Sequence, residues 1–438
     1  MLLRFGVANH RSMREYQEIL FVASHSPDRL MFPVSVVDAS VVPATVFVGA
    51  NASGKSNLLD AMVEMEQLVV RSHKHYDETD RIRRSPFRLD PHSESSPTRF
   101  ECSFTLETGT DEVPVYDLEI EFTDYEVCRE RLRRTVRQER RSTHTLYTRQ
   151  NENGKVHVEF GAQLQGANQI TANLTRPNSL FLSAAAQNNH QQLTEIHRWF
   201  ANDWKNLVSV GPISESSAAE AIADSQNREL LGKLLQQAET GVRGIDLIER
   251  EWDEGAIEFS RSVAQHLVDD LQVKDGPIPL KLADSLLDSP RRQLRLLHET
   301  AGDLLPLDYR SESLGTKMLL TLVLPAFDSL SKGSVLLIDE IDSSLHPRLV
   351  KAFVSLFLRP ESNPKGAQLI FTTHDVTLLG TGLLSQNAIW MVDKDLEGVS
   401  TVNPLSDYKI RGDFERAYRD GRVGGSPELH GFFLDLTA

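Results

Sequence analysis

Cysteine is nearly missing: Cys102 and Cys128 are the only two in 438 residues. Two thiols without metal-type spacing exclude a disulfide framework and suit a reducing cytoplasm, the location the sequence leads us to expect. No apolar run reaches the ~18 residues that a membrane-spanning helix needs, so no membrane partner is expected. The start, Met1-Leu2-Leu3-Arg4-Phe5-Gly6-Val7, turns polar too soon for a secretory signal. Positive charge is also short, with 47 Lys and Arg against 62 Asp and Glu and a net charge of −15. That excludes a wholesale nucleic-acid coat and leaves room for a local basic groove. There is no internal repeat, no low-complexity segment and no sustained heptad for a coiled-coil arm. Apolar content is ordinary, and the length suits roughly two or three domains or one elaborated one.

What is there begins with a short apolar strand, Val46-Phe47-Val48, followed by Gly49-Ala50-Asn51-Ala52-Ser53-Gly54-Lys55-Ser56. The spacing G-x-x-x-x-G-K-S is that of a phosphate-binding loop. Glycines let the loop turn tightly, so that backbone N–H groups face an anion, and the helix expected from Asn57 to about Val70 adds its positive end. Lys55 reaches terminal phosphates, and the Ser56 hydroxyl suits magnesium. ATP and Mg2+ are the expected cofactors.

Strands are expected at residues 2–8 and 18–23, with the polar turn Asn9-His10-Arg11-Ser12 between them. Residues 71–98 read as a surface connection. Five alternating segments then predict an antiparallel β region: 99–107, 113–122, 127–136, 144–150 and 155–160. Arg129, Arg131, Arg133, Arg134, Arg137, Arg140, Arg141 and Arg149 cluster there. Such a run either touches nucleic-acid phosphates or forms a solvated face or a site for acidic partners. Residues 190–300 read mostly as helix, with Leu193, Ile196, Phe200 and Trp204 at helical spacing. From Lys332 onward strands and helices alternate again, which suggests a mostly parallel sheet.

Three further segments carry chemistry. Val335-Leu336-Leu337-Ile338 ends in Asp339-Glu340, two carboxylates at the carboxyl end of a buried strand, where α/β sheets bind ligands. Asp339 is expected to serve magnesium and Glu340 to orient and deprotonate the attacking water. Leu369-Ile370-Phe371 ends in Thr372-Thr373-His374-Asp375, which makes His374 a candidate γ-phosphate sensor. Ser313-Leu314-Gly315-Thr316-Lys317 precedes an apolar helix over 318–330 and forms a second anion site. One subunit has no need of two such cradles, so a homodimer or higher even oligomer is expected, with this loop capping a nucleotide held by the other copy.

The order of these motifs resembles that of the ABC ATPase superfamily, and within it the soluble SMC, RecF and OLD-like branch. Asn9-His10-Arg11-Ser12 is similar to that branch's Asn-Phe-Arg-Ser turn, whose arginine reaches the nucleotide; this implies nucleotide binding by Arg11. Asp339 through Pro347 is similar to its Walker B and D-loop string, and Tyr418 through Pro427 to a C-terminal Tyr-x-x-Gly-Arg-Tyr-Gly-x-x-Pro element. His10 and Val423 depart from the pattern, which has aromatics there. Gln187 stands either as the magnesium-sensing glutamine of such proteins or as an ordinary helix residue.

The resemblance implies an α/β fold: a P-loop NTPase of ABC type, with a mostly parallel core sheet, an antiparallel β region and a helical insertion. The expected parts are 1–189, 190–300 and 301–438. It further implies Lys55, Glu340 and His374 as catalytic residues. Nucleotide contacts are implied for Arg11, Gly49, Ala50, Asn51, Ala52, Ser53, Gly54, Lys55, Ser56, Asn57, Ser313, Gly315 and Lys317, and metal contacts for Ser56 and Asp339. The stand-alone ATP-binding proteins of bacterial anti-phage and abortive-infection operons share this pattern. They imply a sensor that controls an effector, a nuclease or toxin from an adjacent gene. About 60 residues follow His374, fewer than the ~100 of a further nuclease domain, and they lack its carboxylate set. The alternative reading is a DNA-binding repair or chromosome-maintenance ATPase that uses the Arg129–Arg149 region.

Overall fold

In the computed structural model, the described residues are 1–23, 31–77, 79–106, 113–137, 140–152, 154–207, 211–238, 240–250, 258, 262, 291–300, 302–343, 345–408, 414–420 and 423. They fall into two compact units, Met1–Val210 with Asp328–Ala438, and Gly211–Phe327.

The first unit is built on a six-stranded sheet. Its order is Trp204–Leu207, Val335–Ile338, Gln368–Thr373, Ala44–Val48, Ile389–Lys394, Ser400–Pro404. The first five strands run parallel, and the last is an antiparallel edge. Val335–Ile338, Gln368–Thr373 and Ala44–Val48 are buried throughout, as strands covered on both faces must be. Their registers, Ile338 opposite Phe371 and Thr373 opposite Val48, bring their carboxyl ends to one edge. One strand therefore separates the phosphate loop from Asp339-Glu340.

The helix after the loop runs Lys55–His75, two residues earlier and five later than the sequence suggests. Leu58, Leu59, Met62, Met65, Leu68 and Val69 recur at helical spacing and are buried. They share one core with Phe47, Leu337 and Ile370 of the parallel sheet and with Phe5, Phe100, Phe104 and Leu118 of a second sheet. That second sheet is antiparallel and seven-stranded: Lys155–Phe160, Arg141–Glu152, Val127–Arg137, Val115–Phe122, Thr98–Thr105, Leu2–Ala8, Gln17–Leu20. It is the expected β region with the N-terminal strand built into it, close to the expected boundaries.

The second unit departs from the helical reading of 190–300. Helices Glu215–Ala221 and Ser225–Gln237 are present. Val242–Arg250, Arg291–Thr300 and Asp303–Asp308 form a three-stranded antiparallel sheet. Leu294 and Leu296, fully buried, alternate with Gln293 and Arg295, a period of two rather than 3.6. The helix expected at 318–330 runs Leu314–Lys332. Ser344 and most of the C-terminal element beyond Asp420 lie outside the described residues.

Candidate functional site

The phosphate loop leaves the Ala44–Val48 strand at Gly49 and enters the helix at Lys55. A Cβ on Gly49 would run into Val392 O and stand 2.7 Å from Ser53 Oγ, so only glycine fits. Gly54 has φ of 112°, a left-handed value that costs glycine little. The helix has no side-chain cap at Gly54, and first-turn N–H groups have no partner within a helix. This is the donor array an anion needs. Lys55 is 4% exposed, and its Nζ donates to Gly49 O at 2.9 Å and Ala50 O at 3.0 Å. Burial pushes the amine below its usual range, while Asp339, Glu340 and Asp342 pull it back up. The ammonium thus sits within the field of all three carboxylates. Ser56 is exposed, with its hydroxyl open to a ligand.

A collar of serines braces the loop from elements distant in sequence. Ser400 Oγ donates to Ser53 O at 2.6 Å, and Ser400 N to Ser12 O at 2.7 Å. Asn57 Nδ2 donates to Ser12 Oγ at 2.7 Å, so its amide ties the Asn9–Ser12 turn to the loop helix. Arg11 is fixed on the same helix: its Nε meets Asp60 Oδ2 at 2.6 Å. Both Asn9 and Arg11 have positive φ, 52° and 47°. His10 is fully buried; its Nε2 meets Asp60 at 3.1 Å and its Nδ1 stands 3.8 Å from Glu64. Burial, then the nearby Asp60 charge, pushes the Glu64 carboxyl up to about 8.

At the ends of the neighbouring strands, Thr372 is fully buried and bonds twice. Its Oγ1 donates to Asp339 Oδ1 at 2.6 Å and accepts Glu340 N at 2.7 Å. Thr373 Oγ1 donates to Asp342 Oδ1 at 2.8 Å. Glu340 has φ of 50°, a strained value for a side chain of this size. Its side chain stays 53% exposed, and its Oε1 lies 3.4 Å from His374 Nε2. Two carboxylates, a lysine, a histidine and an open serine thus converge on one sheet edge.

Ser313, Gly315 and Lys317 belong to the second unit. There Ser313 Oγ accepts Thr316 N at 3.1 Å, capping the Leu314–Lys332 helix, and Lys317 Nζ donates to Arg310 O at 2.8 Å. Three members of the arginine cluster are engaged. Arg131 pairs with Glu119 and Arg137 with Asp38. Arg149 is fully buried and donates to Pro177 O at 2.8 Å, so it is withdrawn from any nucleic-acid surface. The covered face of its strand decides this, and residue parity alone does not reveal which face that is. Gln187 ends the short helix Phe181–Gln187, whose first N–H groups are held by the buried Glu130 carboxylate.

Sequence reasoning missed Ser12, Asp60, Thr372 and Ser400. Thr372 alone carried a local signal, standing where a strand ends beside the candidate sensor.

A model of the family described as "AAA domain, putative AbiEii toxin, Type IV TA system" matches residues 44–380. No curated protein matches the chain. No helix among the described residues is long and apolar enough to cross a membrane.

Proposed function

The chain belongs to this AAA-domain family and is a P-loop NTPase; from that premise we propose an ATP-hydrolysing switch of the ABC type, close to the SMC, RecF and OLD-like branch. The observation that carries the reading is the Glu340–His374 contact at 3.4 Å, two strand ends meeting on the edge where the phosphate loop opens. The residues fit a nucleoside triphosphate with a hard cation: an open serine hydroxyl, a carboxylate anchored by Thr372, and a glycine loop with no room for a side chain.

Lys55 leaves Gly49 O and Ala50 O for phosphate oxygens, an exchange of neutral for charged acceptors that favours the ligand. Gly49 through Ser56 wrap the phosphates, with Asn57 and Arg11 holding the wall beside them. Ser56 and Asp339 would hold the cation, and magnesium there would supply neutralisation of the charge that builds on the phosphate oxygens. Glu340, open to solvent, takes the proton of the attacking water, and His374 donates to the γ-phosphate side. Ser313 and Gly315, with Lys317 beside them, cap the nucleotide of a second copy. Hydrolysis removes the bridging phosphate and loosens the homodimer.

The family's description supports a setting in abortive infection or a toxin–antitoxin pair. There the ATP state would hold or release a separate effector protein. The parts of the chain are proposed as two halves of one ATPase, 1–210 and 328–438, around the 211–327 unit. For the DNA-binding alternative, Arg131, Arg137 and Arg149 are the weaker candidates, since they already have partners.

The test is Glu340→Gln. It keeps ATP binding and accumulates an ATP-bridged dimer in light scattering, with turnover down about 10²-fold or more. A variant that binds ATP and stays monomeric would falsify the switch.

A further inference from the structure

The second anion loop has an acidic residue beside it that its proposed task makes awkward. Glu312 directly precedes Ser313, and its side chain is 3% exposed. A helix N-terminus and a serine hydroxyl attract an anion. A carboxylate there is itself an anion: left bare, it competes with phosphate for the same donors and repels it. Burial sharpens the effect, because low dielectric strengthens every charge interaction.

Among the described residues, the side chain that meets this carboxylate is His298, with Nε2 2.7 Å from Glu312 Oε1. His298 sits on Arg291–Thr300, the middle strand of the three-stranded sheet, paired with Val242 on one side and Leu305 on the other. A residue held in two ladders is a rigid anchor. The rest of the loop is fixed within the same unit. Tyr309 Oη donates to Ile213 O at 2.6 Å, and Arg310 Nε meets Glu215 at 3.1 Å. Neither Arg310 nor Lys317 stands in for His298: Arg310 is taken by Glu215, and Lys317 Nζ is turned to Arg310 O.

We propose that His298 is a positioning residue for the proposed trans site: it holds the Glu312 carboxylate in a hydrogen bond and so leaves Ser313 and Gly315 to the partner's phosphate. This rests on the reading of Ser313–Gly315 as a cap for a second copy's nucleotide. It adds a requirement for a hydrogen-bond partner to Glu312 that the motif itself does not contain. It also identifies the sheet of the second unit as the platform that sets the cap.

The experiment uses the full chain in the Glu340→Gln background and measures the ATP concentration that half-saturates dimer formation. His298→Ala should raise it about tenfold, and adding Glu312→Gln should bring it back to within about threefold, because the carboxylate that needed holding is gone. A pair with a merely structural role gives the opposite: two damaging singles and a double no better than either. Loss of rescue overturns the proposal, as does a His298→Ala protein that dimerises like its parent. Ser313→Ala in the same assay separates the two levels of argument. If it leaves dimerisation untouched, the trans cap itself fails; if it abolishes dimerisation while His298→Ala does not, only the role of His298 fails. Should His298→Ala not fold, His298→Gln and its double with Glu312→Gln carry the same comparison.

Discussion

Replacing Thr372 with valine keeps the side chain's shape and deletes one hydroxyl. That hydroxyl makes two bonds in a fully buried position, donating to Asp339 at 2.6 Å and accepting from Glu340 N at 2.7 Å. A hydrogen bond to a charged acceptor contributes ~1.5–3 kcal/mol and a neutral one about 1 kcal/mol. The expected loss is therefore about 3 kcal/mol, or roughly 4–5 °C in the melting temperature of a unit this large. The catalytic effect has a separate cause. Glu340 keeps its φ of 50° against steric preference, and the Thr372 bond to its N–H is part of what holds it there. A misplacement of ~1 Å at a reacting group costs about 10²-fold in rate. Thr372→Val should thus lower kcat about 10²-fold while nucleotide affinity, set mainly by the phosphate loop, changes less than about threefold. Thr372→Ser restores the hydroxyl and most of the rate. The assays are steady-state phosphate release, nucleotide titration and a thermal melt. A valine variant with parental kcat, or one whose loss lies in binding alone, refutes the idea that Thr372 places the two carboxylates.

Gly49→Ala puts a methyl into Val392 O and against Ser53 Oγ; it should cost about 1–3 kcal/mol of stability and abolish tight nucleotide binding, and unchanged calorimetric binding would contradict the close approach. Glu64 provides a pH test. Its folded-state value, about 8, lies above the ordinary value of 4.5, so the folded chain holds a proton that the unfolded chain gives up. The resulting stability is fully present below about pH 4.5 and is lost as pH rises to about 8, by at most ~5 kcal/mol. Glu64→Gln should accordingly raise the melting temperature at pH 9 and change it little at pH 5; an equal shift at both would rule out this titration. Lys55→Ala removes the ammonium that now bonds Gly49 O and Ala50 O; nucleotide binding should weaken at least tenfold and turnover vanish, and full hydrolysis by this variant would remove the loop from the mechanism.

Local pattern determined a good part of this protein. The glycine-lysine spacing, the apolar strands ending in Asp339-Glu340 and His374, and the period-two segments between 99 and 160 can be read because each signal lies within a few residues of chain. The sheet of Val242–Arg250, Arg291–Thr300 and Asp303–Asp308 was equally local, in Leu294 and Leu296, but the helical spacing of Leu193, Ile196 and Phe200 set the reading of 190–300. Tertiary structure alone decided the rest. Ser400 braces Ser53 from 347 residues away, and Thr372 reaches Asp339 on the adjacent strand; neighbouring sequence does not name the partner in hydrogen bonds of that span. Arg149 looked like one member of an exposed run, and only the packing of its sheet buried it. Sequence periodicity names the two faces of a strand, whereas long-range packing settles which one meets water.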